Sequence, residues 1–315
     1  MEKLFNNKTL FVLTSKWKLH LLIISILSIA IGVFISSPVV ITPKYKSTAI
    51  VYPTNIFGYS KESTTEQMYQ IFLSTDIKFR MLNAFQLDKH YKISKNDPLF
   101  ITYFLDEFNE NVSISKTEFE SVQITIYDKD PKVASDMVDS MIVFYNDKVA
   151  ELHKRKQKEM IDIMSKAMLE KKNEIDSVES KLIDIRTKYG IINVTSQSIE
   201  ATKGMIAGNK QAADLYKNLE QYAGYYKELD SLSWHFRKEY IKYKQQYEDA
   251  VREYNKKITY AQVVQYPYPA DKKSYPVRWA IVALTLVGGL IISLIVIALI
   301  ESKKQKTNTN VQLES

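Results

Sequence analysis

The sequence predicts an α+β membrane protein in which two transmembrane helices enclose an α/β base that carries a long antiparallel helical hairpin arm. Three observations lead there. Long apolar runs lie near both ends of the chain, segments of strand type lie between them, and two long stretches repeat apolar residues in heptad steps.

The first observation sets the frame. Trp279 to Ile300, WAIVALTLVGGLIISLIVIALI, holds no charge, and only Thr285 and Ser293 are polar. At about 1.5 Å of rise per residue this run crosses a hydrocarbon core of about 30 Å. Leu19 to Ile41 is the second such run. It exceeds the roughly 7–15-residue core of a signal peptide, and Pro38 follows Ser36-Ser37, where cleavage would be sought. A retained anchor is therefore expected. Lys3, Lys8, Lys16 and Lys18 precede this run, against Lys44 and Lys46 after it, so the N-terminus is expected in the cytoplasm. The basic flanks of the second run tie, and an even number of crossings returns the C-terminus to the same side. Trp17 and Trp279 stand at span edges, where an amphipathic ring is favoured. The expected division is a cytoplasmic segment 1–18, a span 19–41, one extracytoplasmic domain 42–278, a span 279–300 and a cytoplasmic tail 301–315.

Composition narrows the function. The chain has no cysteine, which excludes disulfides and thiolate metal sites. Eight glycines and eight prolines in 315 residues argue against a loop-rich or all-β protein. The flanks of the two runs carry seven lysines and three glutamates, which reduces the net charge of +7 to +3 for residues 42–278. Nucleic-acid binding wants a single-sign field, and none is present.

Within 42–278, Tyr45 to Pro53 reads as a strand, β-branched and aromatic and closed by a proline. Phe57 to Glu66 reads as a polar loop. Glu66 to Ser74 and Asp76 to Phe85 carry apolar residues at spacings of three and four, as helices do. Lys95 to Asp97 with Pro98 is a turn signal. Asn111 to Ser115 and Ser121 to Tyr127 alternate. Val122, Ile124 and Ile126 share one face, and Gln123, Thr125 and Tyr127 the other, which predicts strands with one buried face.

Asp130-Pro131 starts the arm. Aspartate at an N-cap accepts from an orphan backbone N–H, and proline at the first helical position loses no needed donor. From Lys132 to Tyr189 there is neither glycine nor proline. Val138, Ile142, Tyr145, Val149 and Leu152, and again Ile175, Val178, Leu182, Ile185 and Tyr189, fall in heptad steps; HKRKQKE (153–159) between them is polar. Such a helix is roughly 85 Å long, and Gly190 suits its C-cap. Gly190 to Asn209 reads as a turn with one short helix. A second long helix from Lys210 to Lys257 carries the seam Leu215, Leu219, Tyr222, Tyr226, Leu229, Leu232, Phe236, Tyr240, Tyr243, Tyr247, Tyr254 and Ile258. Two long helices joined by a glycine-containing turn form an antiparallel hairpin. Ile258 to Tyr266 then returns as a strand that can pair with Tyr45–Pro53. The base is thus 42–130 with 258–278, and the arm 131–257.

No catalytic constellation appears: no glycine-rich phosphate loop, no HExxH and no GxSxG. The four histidines are scattered. The arm's carboxylates alternate with lysines at helical spacing, which describes a solvated face. No catalytic residue, cofactor or metal ligand is therefore expected. The tyrosines of the second arm helix, among them Tyr240, Tyr243 and Tyr247, admit two readings: packing within or between hairpins, or stacking on sugar rings. Gly288-Gly289 would let another helix approach closely in the membrane. Asn193-Val194-Thr195 matches a glycosylation sequon.

The order of these parts resembles a known family. The segment VQITIYDKDPKVASDMVDSMIVFYND (122–147), with Asp130 and Pro131 at its turn, is similar to the strand, Asp-Pro and helix of the polysaccharide co-polymerases, the Wzz-type chain-length determinants. QVVQYPYPADKKSYPVRWAIVALTLVGGL (262–290), with Pro267, Pro269 and Pro276, resembles that family's proline-rich approach to its second span. Tyr45–Pro53 fits its opening strand. The resemblance implies a bacterial inner-membrane protein, in a Gram-negative envelope, whose periplasmic arms assemble as a ring-like homo-oligomer. It implies control of O-antigen, capsule or exopolysaccharide length beside a membrane polysaccharide polymerase, with the nascent glycan as a further partner. Some relatives carry a cytoplasmic tyrosine kinase. Residues 301–315 hold no tyrosine and no nucleotide loop, so no kinase activity is expected in this chain, and a kinase would be a separate partner.

Three other readings compete. A periplasmic adaptor of an efflux or secretion system shares the helical hairpin, but usually has one anchor and β-rich flanking domains. A two-span sensor needs a cytoplasmic output module, which fifteen residues cannot supply. An envelope enzyme would need general bases that the scattered histidines do not assemble.

Overall fold

The computed structural model describes residues 14–56, 58 and 60–313, with backbone alone for 302 and 304–313. Lys3, Lys8 and the remainder of 1–13 lie outside the described residues, as do Phe57 and Tyr59 of the expected polar loop and residues 314–315. The element order is α1 (Lys18–Ile35), β1 (Tyr45–Pro53), α2 (Thr64–Leu73), α3 (Thr75–Ala84), α4 (Leu87–His90), α5 (Phe100–Asn111), β2 (Val112–Lys116), β3 (Val122–Asp128), α6 (Pro131–Tyr189), α7 (Val194–Ile206), α8 (Lys210–Asn255), β4 (Ala261–Gln265) and α9 (Arg278–Leu313). The chain is α+β, mostly helical with one small sheet, as expected. It divides into two compact units, residues up to Tyr145 together with those from Ala261 onward, and Asn146–Tyr260.

The first unit is built on a four-stranded antiparallel sheet of order β2-β3-β1-β4. β1 lies between β3, with Thr48 opposite Thr125, and β4, with Val51 opposite Val263. The expected return strand is therefore present and pairs where it was placed. Ala49 and Val51 of β1 and Val122, Ile124 and Ile126 of β3 are shut from solvent, together with Met68, Phe72, Ile77, Met81, Phe104 and Phe108 from the helices. The opposite face of β3 is less open than the alternation predicts, since Thr125 is also buried. It meets Thr48 hydroxyl to hydroxyl at 3.3 Å. Ser63 caps α2, its hydroxyl accepting from Glu66 N–H at 3.1 Å.

Helices α4 and α5 have no counterpart in the sequence reading. In α5, Phe104, Phe108 and Asn111 are buried at spacings of four and three. Its residues FITYFLDEFNEN are rich in aromatic and β-branched types, which are weak helix formers. Its helix therefore rests on the burial of that phenylalanine face.

The boundary of the arm needs correction. The first four turns of α6 belong to the sheet unit, because Ala134, Met137, Val138, Met141, Ile142 and Tyr145 are buried there. Tyr145 stacks on Phe72 with ring centroids 4.5 Å apart. The hairpin unit thus begins at Asn146 and ends at Tyr260, where 131–257 was expected.

In that second unit, α6 and α8 run antiparallel. Lys171 faces Glu239 at 2.9 Å and Glu179 faces Arg237 at 2.6 Å, while Asn218 donates to the Tyr189 carbonyl at 3.2 Å. Gly190 ends α6 with φ +73°, a backbone that favours glycine. Leu182, Ile185, Ile191, Leu219, Tyr226 and Leu229 form the core beside this turn. Two seam assignments fail, since Leu232 and Tyr254 are each 36% exposed, and beside the first of them Ser233 is buried at 6%. Alternating steps of four and three from Leu229 to Phe236 pass through 233, so position outweighs hydrophobicity.

Candidate functional site

Two regions gather the residues singled out in the sequence, and both lie in the sheet unit. The first is the pair of apolar helices. In α1 and in Arg278–Glu301 of α9, only 11% of the apolar window is buried, with mean hydropathies of 2.3 and 2.9. A core helix of a soluble domain would hide far more, so these faces suit lipid. The expected span 19–41 is shorter as a helix. It ends at Ile35 because Pro38 has no N–H to donate and disfavours helical backbone at Ser37. The second helix is longer than the expected 279–300 and continues to Leu313.

The two helices meet through small residues. A Cβ added at Gly289 would lie 2.1 Å from Ser28 Oγ, and one added at Gly32 would lie 2.3 Å from Thr285 Oγ1. Gly289 therefore permits the close approach expected of it. Gly288 faces away from the first helix, with nothing among the described residues within 4 Å of its Cβ position. Ser28, Gly32 and Ser36 are buried at intervals of four, a small-residue pattern in the first run that the sequence reading did not single out. Lys16 pairs with Glu301 at one end, which puts the start of the first helix beside the end of the apolar part of the second.

The second region lies where the helices join the sheet. Between β4 and α9 the proline-rich segment returns beside the start of β1. Lys44 N–H donates to the Tyr275 carbonyl at 3.0 Å, and Ser274 N–H donates to the Lys44 carbonyl at 2.9 Å. The Ser47 hydroxyl donates to the carbonyl of Tyr268 at 3.1 Å, which ties down the stretch between Pro267 and Pro269. Pro276 follows a cis peptide bond from Tyr275. Asp130 caps α6, its Oδ1 accepting from Lys132 N–H at 2.8 Å, and Pro131 is the first helical residue. The expected cap is present, and it is a structural device.

Around this junction the side chains form a polar network. Lys44 Nζ donates to Asn111 Oδ1 at 2.6 Å, and buried Asn111 in turn donates to Glu107 Oε1 at 2.9 Å. His90 Nε2 lies 2.6 Å from Oδ2 of buried Asp128. The Tyr91 hydroxyl is buried and finds no hydrogen-bond partner among the described residues. Burial first, then the Asp128 and Glu107 carboxylates, push its phenol well above the ordinary range. Among the described residues no cluster of three metal-ligating side chains occurs.

The arm tyrosines lie along the hairpin seam. Tyr240, Tyr243 and Tyr247 are half-buried on the seam, Tyr226 donates to the Ile192 carbonyl at 2.7 Å, and Tyr222 stacks on Tyr189 at 3.8 Å. Asn193 of the sequon caps α7, accepting from Ser196 N–H at 3.0 Å.

No protein-family model and no curated protein matches the chain. Solved structures do. A full-length bacterial polysaccharide co-polymerase superposes with a TM-score of 0.50 at 15% identity, covering 96% of this chain and 99% of its own. A fragment of WzzB, a polysaccharide co-polymerase from Salmonella Typhimurium, gives 0.36 at 13% identity over 74% of this chain and 100% of its own. The wild-type Shigella flexneri lipopolysaccharide O-antigen chain-length regulator WzzBSF gives 0.33 at 14% identity over 73% and 100%. The first match, over 96% of this chain, shows that the chain has the fold of a full-length bacterial polysaccharide co-polymerase.

Proposed function

We propose that this chain is a polysaccharide co-polymerase that regulates the length or the export of a surface polysaccharide without itself catalysing bond formation. The observation that carries the reading is the agreement in fold along 96% of the chain with a full-length co-polymerase, apolar helices included. The chain would be anchored in a bacterial inner membrane by both helices, with its termini in the cytoplasm and its sheet and hairpin units in the periplasm. The lysines before the first span favour that orientation. Several copies would assemble, since Trp234, Ile241, Ile183 and Ile199 leave large apolar surfaces exposed on the hairpin. A membrane polysaccharide polymerase and its growing glycan are the partners this role requires.

The test is the length distribution of the surface polysaccharide, resolved on a gel, with the gene deleted and then restored. Loss of a preferred length with polymer remaining supports length control. Complete loss of polymer supports a role in export. An unchanged distribution of every surface glycan would overturn the reading and favour a secretion adaptor.

A further inference from the structure

Two adjoining cavities at the junction of helices and sheet share Lys44, Asn111 and Tyr127. One, of about 400 Å³, adds Glu110, Ser274 and Tyr275. The other, of about 250 Å³, adds His90, Tyr91, Glu107 and Asp128. These volumes bracket the lower end of the roughly 300–1,000 Å³ typical of small-ligand sites.

The chemistry of the walls selects a ligand class. Lys44, Lys92 and Lys129 are matched by Glu107, Glu110 and Asp128, so there is no excess of positive charge to hold a phosphate, and any anion would face carboxylates. A neutral polyhydroxylated ligand suits both signs, because each hydroxyl donates to a carboxylate and accepts from an ammonium or phenol. Asn111 is already committed on both sides and holds Lys44 and Glu107 in place. Tyr91 is different: it lines the cavity, and its buried hydroxyl finds no partner among the described residues. Such groups are costly unless something satisfies them. Lys92, next to it, holds φ +59°, an uncommon backbone for a non-glycine residue. Tyr127 and the half-exposed Tyr275 add aromatic surface suited to the apolar face of a sugar ring.

We infer that this membrane-proximal basin binds one or two sugar residues of a saccharide, with the Tyr91 hydroxyl and Glu107 as hydrogen-bonding groups and Tyr275 as the stacking face. The inference rests on the reading of the chain as a polysaccharide co-polymerase. It places glycan contact in the base, whereas the sequence admitted sugar stacking, beside packing, for the tyrosines of the arm.

The test uses the full chain in detergent micelles. The probes are short oligosaccharides released by mild acid from the cell's own surface polysaccharide and, separately, sodium pyrophosphate. Saturation-transfer NMR reports which probe protons touch the protein, and titration gives affinity. Tyr91→Phe removes only an unpartnered hydroxyl and Tyr275→Ala removes a half-exposed ring, so both variants are expected to fold, as circular dichroism would verify. The expected result is saccharide binding that weakens by about tenfold or more in each variant, as loss of one good polar or stacking contact does, and is unchanged in Tyr243→Ala on the arm. Absent saccharide binding, binding insensitive to Tyr91→Phe and Tyr275→Ala, or binding of pyrophosphate in place of saccharide would each overturn the inference. The two readings fail separately. A deletion that alters glycan length while the base variants bind normally sinks the site alone. A deletion that leaves every glycan unchanged while the base variants lose saccharide binding sinks the cellular role alone.

Discussion

The sheet unit and the hairpin unit are held together differently. In the first, Phe72, Phe104, Phe108, Ile124 and Met141, from four elements, are almost wholly shut from solvent. In the second, closed side chains gather beside the Gly190 turn and again at Val149, His153 and Tyr260, and the seam between passes to half-buried tyrosines, to Ser233 and to the Lys171–Glu239 pair. Apolar burial contributes roughly 25 cal/mol per Å², while an exposed ion pair contributes little. The sheet unit can therefore stand on its own core. The hairpin unit leaves Trp234 65% and Ile241 55% exposed, which is surface that further burial against another chain would stabilise.

The sharpest way to break this contrast is in the sheet core. Phe104→Ala is expected to cost about 3–5 kcal/mol, read as a shift of the urea transition of the full chain in micelles. A loss near zero would mean that the α5 face does not carry the sheet. In the hairpin, Leu229→Ala should cost about 2–5 kcal/mol and its neighbour Leu232→Ala should stay within about 0.5 kcal/mol, by the same measurement. Equal losses would restore the seam that hydrophobicity alone suggests and remove Ser233 from it.

The membrane pair supplies a third comparison. Gly289→Val should drive its side chain into Ser28 and separate the helices, while Gly288→Val should be tolerated. The chain lacks cysteine, so Lys16→Cys with Glu301→Cys provides a clean pair for a short bis-maleimide. The cross-link should be mostly lost in the first background and kept in the second.

Two smaller effects depend on pH and fall in different windows. His153 lies in the hairpin unit, buried and edge-on to Tyr260 at 4.7 Å. Burial, aided by Lys156 and opposed by Glu253, lowers its pKa below that of an ordinary imidazole. Its neutral form is thus favoured by folding. Stability is full above about pH 6.5 and declines as pH falls toward the lowered value. Hydrogen exchange in 146–160 should speed up across that window, and His153→Gln should flatten the dependence. Glu239 titrates lower, held down chiefly by its hydrogen bond from Lys171. Its contribution is present above the ordinary glutamate pKa and is lost as pH falls through the depressed one. Lys171→Met should remove that acid-side loss from exchange rates near 171 and 239, and an unchanged profile would count against the pair.

Much of the arm was legible because its signals are local. Asp130 caps at a spacing of two residues, Gly190 takes a backbone that few other residues accept, and the uninterrupted stretch between them is a helix on short-range grounds. Helix α5 was not legible, since its residue types disfavour a helix and only the sheet beneath explains it. Among the candidate residues, Asp130 and Gly289 do what their types suggested. Gly288 does not, because which side of a helix meets its neighbour depends on the partner. The basin was invisible for a similar reason. Lys44, Tyr91, Glu107, Asp128 and Tyr275 are scattered along the chain, and no spacing rule links them.

By itself, the sequence determined the two apolar spans, the strands of alternating pattern, the start and end of the long helix and the absence of any recognisable catalytic motif. Each follows from interactions within a few residues, or from the cost of placing apolar surface in water. Tertiary structure alone decided that Ser233 lies on the seam in place of Leu232, that the first turns of α6 belong to the sheet, and that a polar basin forms beside the membrane helices. Those outcomes depend on strand register and on helix faces meeting across long stretches of chain, where the physics is packing and not propensity.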